Sequence, residues 1–122
     1  MNTRVGRRVD KPWGHEEVWA EGPGYVGKLL IVHAGHRLSL QHHALKVETI
    51  RVLSGEVEVS LGDHPDQLET ERATAGAVIH IPAGRLHRLR AITDLELVEV
   101  STPELDDVVR HADDYGRSSG SA

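Results

Sequence analysis

An all-β barrel is the fold class the sequence predicts, and three observations carry that reading. Short strand signals recur along the 122 residues with turn residues between them. The apolar residues are mainly Val, Leu, Ile and Ala, with no Phe and only two Trp and two Tyr, and an aliphatic core of that kind suits pleated strands. Many short strands separated by turns point to a sandwich or closed barrel. One segment departs from the pattern. In residues 103–115 (PELDDVVRHADDY), Leu105, Val108, Val109 and Ala112 recur at helix-like spacing, so a short C-terminal helix is expected.

The elements follow in order from the punctuation. Trp13 and Trp19 flank His15 and are expected to pack an N-terminal strand. Residues 28–33 (KLLIVH) and 37–43 (RLSLQHH) flank a turn at Ala34-Gly35. Residues 47–53 (VETIRVL) and 56–61 (EVEVSL) flank Ser54-Gly55, a two-residue hairpin signal. A loop at 62–66 (GDHPD) precedes strands at 77–81, 86–91 and 95–101, which are separated by Pro82-Ala83-Gly84 and Thr93-Asp94. Residues 1–10 read as a flexible arm with a solvated cluster from Arg4 to Arg8, residues 11–117 as one domain, and residues 118–122 as a disordered Ser/Gly tail.

Composition excludes several classes. Fourteen Lys and Arg against nineteen Asp and Glu give a net charge of -5, and the cations are scattered, so there is no footprint for nucleic acid or an anionic membrane. The absence of Cys removes disulfides, thiolate nucleophiles and Cys-ligated zinc. The first 20 residues hold no apolar signal-peptide core, and no apolar run approaches the roughly 20 residues of a membrane helix. A cytoplasmic location is expected. Exposed sheet edges favour pairing with a second copy, so a homodimer is expected, with Leu38 and Leu40 or the N-terminal strand at its interface.

Nine His is the compositional anomaly. Strand alternation puts Arg37, Ser39, Gln41 and His43 on one face and Leu38 and Leu40 on the other. Gln41 and His43 then lie about 6 to 7 Å apart at Cα on one side of a strand, which lets both reach a single ion. Glu48 opens the next strand, where a hairpin-like return brings it alongside, and His87 follows the Pro82-x-Gly84 turn. Two imidazoles, a carboxylate and an amide oxygen form a mixed N/O set for one divalent metal ion. Zinc is the first expectation, and iron, manganese or nickel also fit. His43, Glu48 and His87 alone are the 2-His-1-carboxylate set of non-haem iron oxygenases, so a small iron dioxygenase is an alternative. Spacing leaves equally open that these are exposed hairpin residues. By the same alternation His42 faces away from His43, and Arg88 and Arg90 face away from His87. His64 is expected in solvent, and the face of His80 is undecided.

Gly35-(x)5-Gln41-x-His43-(x)4-Glu48-(x)6-Gly55 resembles the first motif of the cupin superfamily, and Gly76-(x)5-Pro82-x-Gly84-(x)2-His87 resembles the second. Residues 35–43 (GHRLSLQHH) are similar to the GQRLSLQ-x-H segment of type II phosphomannose isomerases, which include the C-terminal domain of mannose-1-phosphate guanylyltransferase/phosphomannose isomerases. Lys11-Pro12-Trp13-Gly14 looks like that family's RPWG opening, and Asp106 to Arg110 with Asp114-Tyr115-Gly116-Arg117 looks like its DDIVR…DxYGR close. The resemblance spans residues 11–117 and implies a cupin jelly-roll with Gln41, His43, Glu48 and His87 as ligands. It further implies Lys28 and Arg37 as substrate-binding cations for a sugar or sugar phosphate. The activity implied is aldose–ketose isomerisation of a phosphorylated or nucleotide-linked sugar, with Glu48, Lys28 or Lys46 as base. Two departures stand out: Lys46 replaces an expected arginine, and Thr49-Ile50 replaces His-Trp. These leave a non-catalytic metal and sugar binding module as the alternative.

Overall fold

The computed structural model describes residues 3–104 and 106–120. Eleven strands are found among them: β1 Arg7–Lys11, β2 Gly14–Gly22, β3 Tyr25–Val32, β4 Leu40–His42, β5 Glu48–Ser54, β6 Val57–Gly62, β7 Leu68–Ala73, β8 Val78–Ile81, β9 Leu86–Ala91, β10 Leu95–Ser101 and β11 Val109–Ala112. They form a six-stranded sheet in the order β1-β2-β3-β10-β5-β8 and a five-stranded sheet in the order β11-β4-β9-β6-β7. Every pairing is antiparallel. Two such sheets with the chain passing repeatedly between them make a jelly-roll.

The aliphatic strands close on one another as their alternation requires. On β5, Ile50 and Val52 point inward, and on β10 Leu95 and Leu97 do so. All four are almost fully buried, each contributing roughly 1.5 to 3 kcal/mol through burial. Trp13 joins this cluster as the first loop folds over the barrel, whereas Trp19 stays 47% exposed on the outer face.

Three expectations are corrected here. The Ser54-Gly55 turn does not close a hairpin: β5 pairs with β10 and β8, while β6 pairs with β7 and β9 in the other sheet. Gly55, at φ 90°, carries the chain between sheets, and any Cβ there would lie 2.2 Å from the Asp94 carbonyl oxygen. Second, no C-terminal helix forms among the described residues. Residues 109–112 instead pair as β11 with β4, and Leu105 lies outside the described residues. A helix that short is marginal in water, and the free edge of β4 offers its backbone groups better partners. Third, Leu38 and Leu40 are not an outward apolar face. Leu38 packs against the core, and Leu40 is buried where β11 covers β4.

Two strands carried no signal. β1 falls mostly within residues 1–10, which read as a flexible arm, yet it pairs along its length with β2. β7 (LETERA) is exposed along most of its length and charged, as suits a sheet edge. No helix among the described residues is long and apolar enough to cross a membrane.

Candidate metal centre

Three ligand-type side chains converge inside the barrel from both sheets. His43 follows β4 and His87 lies in β9, while Glu48 opens β5 in the opposite sheet. Glu48 therefore does not return alongside His43 on a hairpin; the chain changes sheets between them and Glu48 faces across the interior. His87 Nε2 lies 3.2 Å and His43 Nε2 3.7 Å from Glu48 Oε1. All three ligand atoms fall within 4.8 Å of one another. Gln41 sits directly opposite His87 in the β4–β9 pairing, with its amide nitrogen 3.4 Å from His87 Nε2 and its oxygen accepting from Ser39 Oγ at 2.7 Å. Turning the amide over would aim the oxygen at the centre and leave the N–H donating to Ser39, an exchange compatible with the same side-chain position.

Backbone carbonyls orient both imidazoles. His43 Nδ1 donates to the Asp107 carbonyl at 2.5 Å, and His87 Nδ1 donates to the Arg85 carbonyl at 3.0 Å. With Nδ1 engaged, each ring turns its Nε2 toward the centre, the atom that a metal ion would take in the neutral tautomer. The Nε2 of His43 is buried without a hydrogen-bond partner. Two imidazole nitrogens and a carboxylate oxygen within 4.8 Å of one another form a donor set able to hold a divalent ion.

The supports are local. The Pro82-x-Gly84 turn that aims His87 also donates its Gly84 N–H to the His43 carbonyl at 2.7 Å. Asp107 holds the loop between His43 and Glu48: its Oδ2 accepts from Leu45 N at 2.7 Å and Lys46 N at 2.9 Å, and its Oδ1 from Ala44 N at 3.1 Å. Those N–H groups, Leu45 and Lys46 foremost, hold the Asp107 carboxyl below its ordinary range.

A row of buried charges continues from the centre. Lys46 Nζ lies 3.3 Å from Glu48 Oε2 and 3.3 Å from Glu99 Oε2. Beyond them Lys28 Nζ lies 3.4 Å from Glu16 Oε1, with Lys11 Nζ at 3.9 Å. Burial raises the Glu48 carboxyl, but the His43 and His87 imidazoles and Lys46 outweigh it and hold Glu48 well below the usual carboxylate range. Burial followed by the Glu48 charge pushes Glu99 up to about 7, against Lys46 and Lys28. Burial opposes charge on Lys46, yet Glu99 and Glu48 keep its ammonium above its ordinary value. Lys11 is lowered by burial, with Glu16 opposing and the cations Lys28, Arg117 and Arg110 adding to the depression.

The structure thus brings Gln41, His43, Glu48 and Lys28 to one cavity of about 60 Å³, with His87 reaching Glu48 at 3.2 Å from behind the lining. Arg37 lies elsewhere: it is partly exposed and held by Asp114 through contacts of 2.6 and 2.8 Å. His80 sits on the outer face, hydrogen-bonded to Thr49 at 3.0 Å, and His64 is exposed. Sequence reasoning missed Glu16, Glu99 and Asp107. The first two had a signal, because Glu99 shares the inward phase of Leu95 and Leu97, and Glu16 that of Val18. Asp107 had none: its role depends on a register that the expected helix concealed.

A jelly-roll enclosing a His/Glu/His group able to hold a metal ion defines a cupin. Its structure aligns with oxalate decarboxylase from Bacillus subtilis at a TM-score of 0.76 over 87% of this chain and 30% of that one, at 13% identity, a likeness of fold. The sequence model described as "Mannose-6-phosphate isomerase C-terminal" matches residues 1–113, and the chain belongs to that family. It is 37% identical over 114 residues to mannose-1-phosphate guanylyltransferase 2 of Escherichia coli O157:H7, covering 89% of this chain and 23% of that protein. It is also 37% identical over 117 residues to the xanthan biosynthesis protein XanB of Xanthomonas campestris pv. campestris (strain B100), covering 92% and 24%. The chain spans about a quarter of the length of the curated relatives it matches.

Proposed function

We propose that this barrel is a metal-dependent isomerase module that interconverts an aldose and a ketose of a phosphorylated sugar, mannose 6-phosphate being the first substrate to try. Gln41, His43, Glu48 and His87 are the proposed ligands, with zinc first and manganese, iron or nickel as alternatives. The observation that carries the reading is the shared cavity: Gln41, His43 and Glu48, the last 3.2 Å from His87 Nε2, line one space with the buried Lys28, Lys46, Glu16 and Glu99. A bound divalent ion supplies Lewis acidity toward a carbonyl and its neighbouring hydroxyl.

The remaining work falls to this chain's own groups. Glu16 holds the Lys28 and Lys11 ammoniums at the cavity, where they would bind an anionic or hydroxyl-rich ligand. Lys46 keeps Glu48 turned toward the two imidazoles. Glu48 would serve as a metal ligand, Lys46 is held as an ammonium by Glu48 and Glu99, and Lys28 is paired with Glu16, so proton transfer is assigned to the Glu99 carboxyl, which lines the same cavity. Arg37 is left out of substrate binding because Asp114 already engages it. A homodimer is proposed with its interface at the N-terminal edge strand β1, and light scattering after size exclusion tests it.

The test is interconversion of mannose 6-phosphate and fructose 6-phosphate with Zn²⁺ or Mn²⁺ at full occupancy. Turnover lost in His87→Ala and reduced in Glu99→Gln supports the reading, and no turnover with any hexose phosphate overturns it. The second reading, a binding module without turnover, is favoured by Ile50, which stands where the resemblance expects an aromatic and is buried in the core. Thermal stabilisation by the sugar phosphate without conversion would establish that reading.

A further inference from the structure

We propose that His42 and His111 form a second divalent metal site on the outer face of the barrel, suited to copper(II) or nickel(II). His42 stands between Gln41 and His43, so strand alternation turns it away from the centre. β11 lies against β4 with Val109 opposite His42 and Arg110 opposite Gln41, after which the register shifts to place Ala112 opposite Leu40. His111 is therefore the bulged residue, and a bulge re-aims its side chain. His42 Nδ1 and His111 Nε2 come to 2.7 Å, with ring centroids 5.0 Å apart and planes tilted by 37°.

At that separation one nitrogen donates to the other. A cation would take both lone pairs, each ring carrying its proton on its other nitrogen, so no net proton is gained or lost. Metal–nitrogen bonds of about 2.0 Å spanning the gap subtend an angle of about 85°. That angle suits two adjacent positions of tetragonal N,O coordination, the geometry of copper(II) and nickel(II), better than the wider angle of tetrahedral zinc. The pair reaches solvent, and waters complete the coordination. An ion there ties β11 to β4 directly beyond Asp107, whose carbonyl orients His43.

The test is calorimetric titration of the full chain with NiCl₂. His42→Ala and His111→Ala should each take up one equivalent fewer than the wild type, while His87→Ala keeps the outer equivalent. Nickel should also raise the melting temperature of His87→Ala and leave the His111→Ala/His87→Ala double variant unchanged. His111→Gln, melted in EDTA beside the wild type, checks folding independently of metal. Equal nickel uptake by the wild type and both outer-face variants overturns the proposal.

Discussion

The two ends of the barrel interior are built from the same strands and differ in chemistry. At one end β10 points Leu95 and Leu97 inward, β3 Leu30 and Val32, and β5 Ile50 and Val52. At the other end those strands point Glu99, Lys28 and Glu48 inward, all at or below 5% exposure. The alternation never changes; only the side chain on the inward phase does. Buried charges cost stability unless they are paired, and here each has an opposite charge within 3.4 Å. The aliphatic end holds the sheets together, and the charged end offsets the cost of its burial through internal pairing.

Substitutions can break that contrast, and the largest effect is expected at the proposed metal ligands. His87→Ala or Glu48→Ala should weaken divalent metal retention by at least about 100-fold, beyond the 10- to 100-fold typical of groups that only support ligands. Elemental content after dialysis reads this directly. At the other end Leu97→Ala should cost about 2 to 5 kcal/mol in urea unfolding yet leave metal affinity near the wild type. A comparable loss of affinity would mean the two ends are not separable.

Asp107 tests the loop that carries the charged end. Asp107→Ala should lower metal affinity by about 10-fold, because the loop between His43 and Glu48 loses its anchor. Its effect also depends on pH. Three backbone N–H groups hold the folded carboxyl below the ordinary value. The stability it contributes is therefore complete above the unfolded value, about 3.9, and is lost as pH falls through the lower folded value. The gap in urea midpoint between the wild type and Asp107→Asn should shrink on going from pH 7 to about pH 3. A constant gap would refute the assignment. The smallest effect is expected at the surface: breaking the exposed Arg8–Asp10 pair should change stability by no more than about 0.5 kcal/mol.

Much of this was legible in the sequence because strand phase is local. The aliphatic runs located β3, β5, β6, β8, β9 and β10, and the two glycine-bearing motifs brought Gln41, His43, Glu48 and His87 into one reading. What failed was pairing. Ser54-Gly55 has the residues of a hairpin turn, but which sheet the next strand joins depends on distant partners. The 103–115 segment has helical spacing, yet β11 forms because β4 leaves an edge to cover. Arg37 shares the formal phase of His43, but β4 begins only at Leu40, so alternation does not carry from one to the other. Glu16 and Glu99 could have been read from phase alone, as charges standing where their strands otherwise place aliphatic side chains.

The most direct test of a cation held inside this barrel is a crystal structure of the chain grown with Mn²⁺, located by anomalous scattering. One strong peak bonded to His43 Nε2, His87 Nε2 and a Glu48 carboxylate oxygen, with the Gln41 amide oxygen turned toward it, is the predicted result. An interior without a peak at full occupancy elsewhere, or an ion bound away from Glu48, would contradict it.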